Sequence, residues 1–488
     1  MATSTARRLF YRVAFYWFAV FNFFLYLFLF LKNGAYTRKE SEKDKSQFAI
    51  EKDRFWNLSK SPLPGFEHYF YTLRNNLKLH YISNRNGPSP GHLVVFFHGF
   101  PDSSMMWRHL FQEKEIPLQH ATIVAVDLPG YGGSDSFPKY DTEVLEALTE
   151  FVSAMRDKYI LIDQSDTSNT IVVGHDWGCV LGFRLASEAP ALADRFILTN
   201  APHIELVFAN RDRVLQSACK IFKQFRQSPI QHWACLSKAI KTLKPLMLQT
   251  LLMGYIFAFN LPAVFVRYLG SAANCAFVRG ANKLGYGPKS EEYRAQECKA
   301  SSLGPGLEEC RTSIASSGSA ADMYGPTVLE RAKSHGTAFY NMTGLYRDGA
   351  GTAPWSKSLE TIADLYALET SASNSPSPSR RRSSISNGAL FTDPYKGSLK
   401  APTYVLWGEK DQACGKTICL DGLGDYLGRD SEITLLPRSG HWTPVQQNSR
   451  TVLAKMINLC AGKSAKPVVN MTDEVAKLYE GTVLVAKK

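Results

Sequence analysis

The segment from Ile171 to Gly178 most constrains how this chain can fold. It reads Ile-Val-Val-Gly-His-Asp-Trp-Gly and leads into the amphipathic stretch Gly178–Ser187. An apolar run, a glycine-flanked turn and helical periodicity predict a buried strand, a sharp turn and a helix. At such a junction the central side chain, Asp176, projects into a cleft beside the backbone N–H groups that open the helix. A plain helix cap by Asp176 is the alternative interpretation.

Short strand-like runs alternate with helical periodicity on both sides of this junction. The predicted strands are Phe66–Leu73, Leu77–Ser83, Leu93–Phe97, Ile123–Val126, Ile171–Val173, Phe196–Thr199, Thr403–Trp407 and Ile433–Leu436. A hairpin followed by alternating strands and helices predicts an α/β fold with a mostly parallel sheet flanked by helices. The alternation stops near His203 and resumes at Ala401, which indicates one domain interrupted by a mainly helical cap.

The predicted organisation therefore has two core parts around an insertion. The core comprises residues 61–202 and 396–462, the cap residues 203–395, and a C-terminal tail residues 463–488. Two stretches of the cap, 287–325 and 370–387, are rich in small and polar residues. Such composition buries little apolar surface, so we expect surface loops there.

The N-terminal apolar run Leu9–Leu31 predicts a transmembrane helix. At about 1.5 Å per residue it reaches about 35 Å, which exceeds the roughly 30 Å of a hydrocarbon core. A cleaved signal peptide is the alternative, but its apolar region is typically shorter. More basic residues follow the run than precede it, which favours a cytosolic body. We expect the anchor to lie in the endoplasmic reticulum. Residues 32–60 are interpreted as a linker.

The charge and the cysteine content restrict the possible binding partners and the cellular compartment of the protein. The chain has 56 Lys and Arg against 44 Asp and Glu, a formal charge of +12. Between Arg211 and Lys244 there are eight basic residues and one acid, and Pro245–Val266 has no charge. We expect this part of the cap to rest on an anionic bilayer, with a buried helix beside a solvated one as the alternative. The nine cysteines lack ligand or disulfide spacing, and no nucleic-acid motif occurs.

Three further motifs complete a catalytic pattern. His98-Gly99-Phe100-Pro101 follows one predicted strand, Asp411 ends another, and His441 follows the next. The chain order Asp176, Asp411, His441 is that of nucleophile, acid and histidine in hydrolases. The backbone N–H groups of Phe100 and Trp177 are the predicted oxyanion donors.

With these motifs the chain resembles the α/β-hydrolase fold, and within it the epoxide hydrolases. The resemblance covers about Phe66 to His203 and resumes over Ala401–Leu459, and it includes the loop Asp127–Asp135. It implies hydrolysis of a lipophilic epoxide to a diol, with water as co-substrate and no cofactor or metal. It also implies that Tyr255 and Tyr346 of the cap face the epoxide oxygen.

The aspartate in place of serine fits this chemistry, because an ionised carboxylate attacks a saturated carbon directly. The expected intermediate is an alkyl ester on Asp176, hydrolysed by water that His441 activates with Asp411 behind it. A haloalkane dehalogenase is the alternative, although that family usually has Asn where this chain has Phe100. Fluoroacetate dehalogenases usually have Arg in place of Trp177. A noncatalytic binding protein on the same fold is the third hypothesis.

Two weaker expectations concern the periphery. Ser384, preceded by Arg381 and Arg382, has the spacing of a kinase site. The charged segment Tyr36–Asp53 separates the N-terminal helix from the first strand. We therefore expect removal of Met1–Lys32 to leave a folded, active domain that still binds membranes.

Overall fold

The computed structural model describes residues 5–161, 168–287, 290–316, 322–373, 395–462 and 470–488. Ser384 lies outside these residues. The described chain forms a single sheet in the order β1-β2-β4-β3-β5-β6-β7-β8-β9. Its strands are β1 (Glu67–Thr72), β2 (Lys78–Ser83), β3 (His92–Phe97), β4 (Ala121–Val126), β5 (Thr170–His175), β6 (Arg195–Thr199), β7 (Thr403–Gly408), β8 (Glu432–Leu436) and β9 (Val483–Lys487).

The sheet is parallel from β4 to β8 and antiparallel at its edges. β1 pairs with β2 and β2 with β4 in antiparallel fashion, and β9 pairs antiparallel with β8. The central strands bury both faces, and alternate residues enter two separate apolar cores: Val95 and Val172 lie in one, Val94 and Ile171 in the other. The predicted fold class is confirmed. The segment interpreted as a tail instead contributes β9, because its alternating Val and Leu residues complete the edge.

Helices cover both faces of the sheet and form the insertion. Around the sheet and at the N-terminus lie α1 (Thr5–Lys32), α2 (Glu42–Trp56), α3 (Glu143–Tyr159) and α4 (Trp177–Glu188). The insertion contains α5 (Ile204–Gln227), α6 (Trp233–Leu252), α7 (Gly254–Phe259), α8 (Ala263–Tyr286), α9 (Ala295–Leu303), α10 (Leu307–Ser316), α11 (Pro326–Ala332), α12 (His335–Met342), α13 (Gly344–Arg347) and α14 (Leu359–Ser373). The last helices are α15 (Lys416–Cys419), α16 (Gln447–Cys460) and α17 (Met471–Ala476).

The expectation of an irregular loop over residues 287–325 is wrong. Two helices, α9 and α10, occupy much of that range, and Cys298, Ala300 and Leu303 of α9 are buried. Tertiary packing outweighs the polar composition here, since α9 packs against α2 and against the 3₁₀ helix Ser104–Arg108 that follows β3. Of the second predicted loop, residues 370–373 belong to α14, and the remainder lies outside the described residues.

The interpretation of residues 32–60 as a linker is also wrong. Its helix α2 begins at a capping box in which Ser41 and Asp44 exchange hydrogen bonds. At its other end the Trp56 ring is fully buried, and its Nε1 donates to the carbonyl of Ala300 at 2.9 Å. The segment expected to be a linker therefore packs directly against the inserted cap.

The N-terminal helix α1 is the described helix that is long and apolar enough to cross a membrane, over residues 8–32. One side of it packs along the cap helices α7 and α8. Its buried residues include Ala19, Asn22, Phe23 and Phe30, whereas the other side is exposed. An isolated anchor would have no such buried side.

Candidate active site

The turn between β5 and α4 presents Asp176 at the carboxyl edge of the sheet. Asp176 has φ 50° and ψ −118°, a conformation in which a non-glycine residue is strained. Space around it is tight: a Cβ atom added to Gly99 would lie 2.3 Å from Asp176 Oδ1. The glycine in the loop after β3 therefore lets the backbone approach the carboxylate. The strained turn holds the side chain above the sheet, as the sequence predicts.

The acid and the histidine come from loops after β7 and β8. His441 Nδ1 lies 2.9 Å from Asp411 Oδ2, and His441 Nε2 lies 3.5 Å from Asp176 Oδ2. The imidazole thus lies between two carboxylates, one on each ring nitrogen. The side chains of His441 and Asp411 are both almost fully buried, which strengthens the electrostatic attraction between them.

The predicted oxyanion donors flank the same carboxylate. Phe100 N–H donates to Asp176 Oδ1 at 2.7 Å, and the peptide bond between Phe100 and Pro101 is cis. Trp177 directly follows Asp176 as the first residue of α4. A charged carboxylate oxygen now occupies the position in which an ester carbonyl oxygen would meet the Phe100 donor.

The two cap tyrosines lie together over Asp176. The rings of Tyr255 and Tyr346 are 5.8 Å apart at 86°, and Tyr346 also packs edge-on to Trp177 at 4.9 Å. Burial raises the pKa of both phenols well above the usual value, and the negative charge of Asp176 raises it further. Both hydroxyls therefore stay protonated and can donate hydrogen bonds.

One cavity of about 790 Å³ connects these groups. It is lined by both tyrosines and by Asp176 and His441. Its remaining wall is mostly apolar and includes Phe100, Leu252 and Phe277. The site therefore suits an apolar molecule that places one polar group between the tyrosine hydroxyls and the carboxylate.

Comparisons with known proteins agree with this architecture. Residues 92–236 match the profile of a family described as alpha/beta hydrolase fold. The chain folds as an α/β hydrolase. It is 32% identical over 149 residues to epoxide hydrolase 3 of Mus musculus, a match that covers 29% of this chain and 38% of that relative. It is 29% identical over 189 residues to epoxide hydrolase 1 of Caenorhabditis elegans, covering 38% of this chain and 40% of that one.

Among solved structures, an epoxide hydrolase of Bacillus megaterium in complex with an inhibitor superposes with a TM-score of 0.45 at 18% identity. That superposition covers 80% of this chain and 99% of the other. By sequence, the match to the first curated relatives spans about two fifths of their length.

Asn200 is a residue of the α/β-hydrolase site to which sequence reasoning assigned no role. Its Nδ2 donates to Asp411 Oδ2 at 2.8 Å, and its Oδ1 accepts from Gly408 N at 3.3 Å. Asn200 has φ 47°, a left-handed conformation that asparagine tolerates better than most residues. Its place in an Asn-Ala-Pro-His motif directly after β6 was the available signal.

Both oxygens of the Asp411 carboxylate have hydrogen-bond partners. Its Oδ1 accepts from the backbone N–H groups of Ala413 and Cys414 at 2.7 and 2.8 Å. Asp411, Cys414 and His441 bring potential metal ligands within 4.8 Å of one another. A metal ion there would have to displace the hydrogen bond between Asp411 and His441. The donor set therefore fits a catalytic pair better than a metal site.

The electrostatics of His441 follow from its position between carboxylates. Burial lowers its pKa, but the charges of Asp411 and Asp176 outweigh burial and raise the pKa to about 10. The resting site therefore holds an imidazolium ion at neutral pH. Neutralising Asp176 would remove one of the two charges that retain this proton.

A second buried carboxyl, Asp102, lies one residue after the cis-proline. Trp442 Nε1 donates to its Oδ2 at 3.2 Å, so the group links the loop after β3 to the residue that follows His441. Burial raises the pKa of Asp102 to about 6, against the lowering effect of the Trp442 hydrogen bond. Sequence reasoning missed this residue because an Asp after Pro also fits an ordinary turn.

Proposed function

We propose that this protein hydrolyses a lipophilic epoxide to a vicinal diol through an ester on Asp176. The observation that carries the proposal is the convergence of Asp176, His441 and two tyrosine hydroxyls on one apolar cavity. Relatives named as epoxide hydrolases support it, although they are matched over only part of their length. The co-substrate is water, and the reaction uses neither a metal nor an organic cofactor.

In the first step, an Asp176 oxygen attacks one epoxide carbon and the carbon–oxygen bond of the ring breaks. An alkoxide is a poor leaving group, so it needs a proton or a strong hydrogen bond as it forms. Tyr255 and Tyr346 supply it from the opposite side of the cavity. The products are an alkyl ester on Asp176 and a hydroxyl group, and the tyrosine that gave its proton regains one from the His441 imidazolium, which leaves the imidazole neutral.

In the second step, a water molecule adds to the ester carbonyl of Asp176. Since the ester carries no charge, the pKa of His441 falls, and the neutral imidazole accepts a proton from the water. Asp411 keeps the ring oriented and stabilises its positive charge. The oxyanion formed on the carbonyl meets the N–H groups of Phe100 and Trp177. As it collapses, the ester C–O bond breaks, the departing diol oxygen takes the proton of the new carboxyl group, and Asp176 is again a carboxylate beside a protonated His441.

Single-turnover hydrolysis in water enriched in ¹⁸O tests the ester. Because the first diol takes its new oxygen from Asp176, we expect it to be unlabelled while the label enters the Asp176 peptide. Solvent label in the first diol would exclude the ester. His441→Gln should accumulate an adduct of substrate mass on that peptide, and Asp176→Ala should form neither adduct nor diol.

A haloalkane dehalogenase would use the same nucleophile, acid and histidine. A halide ion leaves without a proton, however, so two phenols in the same cavity as Asp176 would have no part in its departure. A parallel assay of styrene oxide and 1-chlorobutane with the full chain separates the two functions. Diol without halide supports the epoxide reaction, halide release supports the dehalogenase, and neither product favours a noncatalytic binder.

We also propose that α1 is retained as the N-terminal membrane anchor, with its exposed side in the bilayer and the catalytic body on the cytosolic side of the endoplasmic reticulum. Packing of α1 against α7 and α8 supports retention over cleavage as a signal sequence. The intact mass of the protein from native membranes decides between them: a retained helix includes residues 8–32, and a cleaved one lacks them. Protease protection of microsomes then reports the orientation.

The α5–α6 helix pair is the proposed second membrane contact. All its basic residues between 211 and 244 are exposed, namely Arg211, Arg213, Lys220, Lys223, Arg226, Lys238, Lys241 and Lys244. At the connection of the two helices, Ile230 is 95% and Trp233 66% exposed. Basic residues beside exposed apolar tips suit an anionic bilayer surface, where each basic residue contributes about 1 kcal/mol.

A fluorophore at this tip tests the contact in the full chain. We expect a label on Ile230→Cys, in a Cys219→Ser/Cys235→Ser background, to shift to the blue in anionic vesicles and to lose the shift in high salt. The matched control is a label on Leu359→Cys, which is 81% exposed but lies on α14. Identical behaviour of the two labels would contradict a membrane contact of α5–α6.

A further inference from the structure

The N-terminal helix lines the same cavity as the nucleophile. Tyr26, Leu29 and Phe30 of α1 belong to the wall that also contains Asp176 and Tyr255. We propose that α1 is a working part of the active site: it forms the outer wall of the substrate pocket and positions the helix that carries Tyr255. This inference rests on the proposed epoxide hydrolysis, and it assigns to the apolar helix a role beyond anchoring.

The helices α1 and α7 approach each other closely at Asn22 and Gly254. A Cβ atom added to Gly254 would lie 2.1 Å from Asn22 Oδ1, so the glycine lets the two helices touch. Asn22 is 3% exposed and donates from Nδ2 to the carbonyl of Phe18. Its polar side chain, which interrupts the apolar run in the sequence, thus faces protein rather than lipid. Gly254 immediately precedes Tyr255.

Aromatic side chains extend this contact on both sides. Phe257 of α7 lies 5.1 Å from Phe15 and 4.7 Å from Phe18, measured between ring centroids. Near the other end of α1, Tyr26 lies 5.2 Å from Phe277 of α8, and Phe277 lies 6.1 Å from Phe100. A continuous aromatic layer therefore joins α1 to the residue that donates to the nucleophile. Shifting α1 would move both the cavity wall and α7.

The opposite side of α1 has a different environment. Trp17 is 73% and Phe28 59% exposed, as expected for the side that faces acyl chains. The cavity lies beside the last turns of α1, where the apolar run ends, and Arg38, Arg279 and Lys283 also line it. Cations at the level of the headgroups suit that depth. A lipid-dissolved epoxide can therefore enter beside Leu29 without crossing bulk water.

Two adjacent substitutions on α1 test the wall in the full chain reconstituted in vesicles. Leu29→Trp adds bulk inside the cavity, and Phe28→Trp adds bulk on the exposed side. We expect Leu29→Trp to lower kcat/KM for trans-stilbene oxide about tenfold, mainly through KM, and to affect the smaller styrene oxide by less than about threefold. Phe28→Trp should leave both values within about twofold. Equal effects of the two variants, or no selectivity for substrate size, would overturn the wall.

The positioning role is tested by a double-mutant cycle. Gly254→Ala should slow ester formation on Asp176 at least about tenfold, because the added methyl group collides with Asn22 and displaces α7. Asn22→Ala alone should change the rate less than about threefold, and Asn22→Ala/Gly254→Ala should recover most of the loss. Failure of Asn22→Ala to rescue the glycine variant would overturn the role. If the wild-type chain hydrolyses no epoxide, the proposed function fails, while the same cycle read from thermal unfolding still reports the α1–α7 contact.

Discussion

Asn200 donates a 2.8 Å hydrogen bond to the Asp411 oxygen that also faces His441 Nδ1. The asparagine at the end of β6 thus fixes the acid that comes from the loop after β7. Because two backbone N–H groups hold the other carboxylate oxygen, removal of one donor loosens Asp411 without releasing it.

Asn200→Gly should therefore lower kcat about tenfold, since a hydrogen bond to a charged group contributes about 1.5–3 kcal/mol. Glycine is the informative replacement because it tolerates the left-handed backbone at this position. Steady-state kinetics compared with Asp411→Asn provide the check. A loss as large as that of Asp411→Asn would mean that Asn200 does more than orient the acid.

The proton on His441 should depend on Asp411. In Asp411→Asn the carboxylate charge is lost while burial remains, so the pKa of His441 should fall well below 10. A raised pKa stabilises the fold most below about pH 6.5 and loses that contribution as the pH rises towards 10. The stability deficit of Asp411→Asn should accordingly be largest at low pH and shrink at high pH. Urea unfolding across this range measures it, and a pH-independent deficit would contradict the buried ion pair.

The two cap tyrosines should act on ester formation alone. Tyr255→Phe or Tyr346→Phe should slow this step about tenfold each, because the remaining phenol still donates to the alkoxide. The double variant should lose 10²–10⁴-fold, the usual contribution of a general acid. Rapid-quench detection of the ester separates the two steps, and the rate of ester hydrolysis should be unchanged. Tyr340→Phe, outside the cavity, is the matched control.

Asp102 should make stability pH-dependent in the opposite direction to an acid whose pKa is lowered by an ion pair in the folded protein. Its pKa rises from 3.8 to about 6 in the folded protein, so folding loses stability as the pH rises from 3.8 to about 6 and loses little more above that. Asp102→Asn keeps an acceptor for Trp442 without the buried charge. It should be more stable than wild type at pH 8 by up to about 3 kcal/mol, and the gain should vanish below pH 4. Thermal unfolding at the two pH values checks this, and a variant less stable at pH 8 would contradict it.

Removal of Met1–Lys32 now has a different expected outcome from the one that the sequence suggests. Local charge made Tyr36–Asp53 look like a spacer, and a spacer would decouple the apolar helix from the body. In the structure Lys52 is buried in α2, and α1 covers α7 and α8. Truncation would therefore expose apolar surface of the cap and open one wall of the cavity.

The sequence by itself determined the strands of the sheet, the turn that carries Asp176, and the chain order of the candidate catalytic groups. These features depend on residues that are close together in the sequence: an apolar run specifies a buried strand, and the glycines around Asp176 allow the turn. The resemblance supplied Tyr255 and Tyr346 in the same way, from short local motifs, and the structure brings both to Asp176.

Only the tertiary structure decided what covers that site. Trp56 meets Ala300 across 244 residues, and Asn22 meets Gly254 across a similar distance in the chain. Such contacts leave no periodicity or turn signal in the sequence. An apolar residue of α1 is predicted to face lipid unless its packing partner is known. The role of Asn200 likewise could not be predicted without the pairing of β6 with β7, which brings its amide to the Asp411 carboxylate. Packing between segments that are distant in the sequence stabilises α9 as a helix and buries part of the predicted linker. The same kind of packing places α1 in the wall of the cavity.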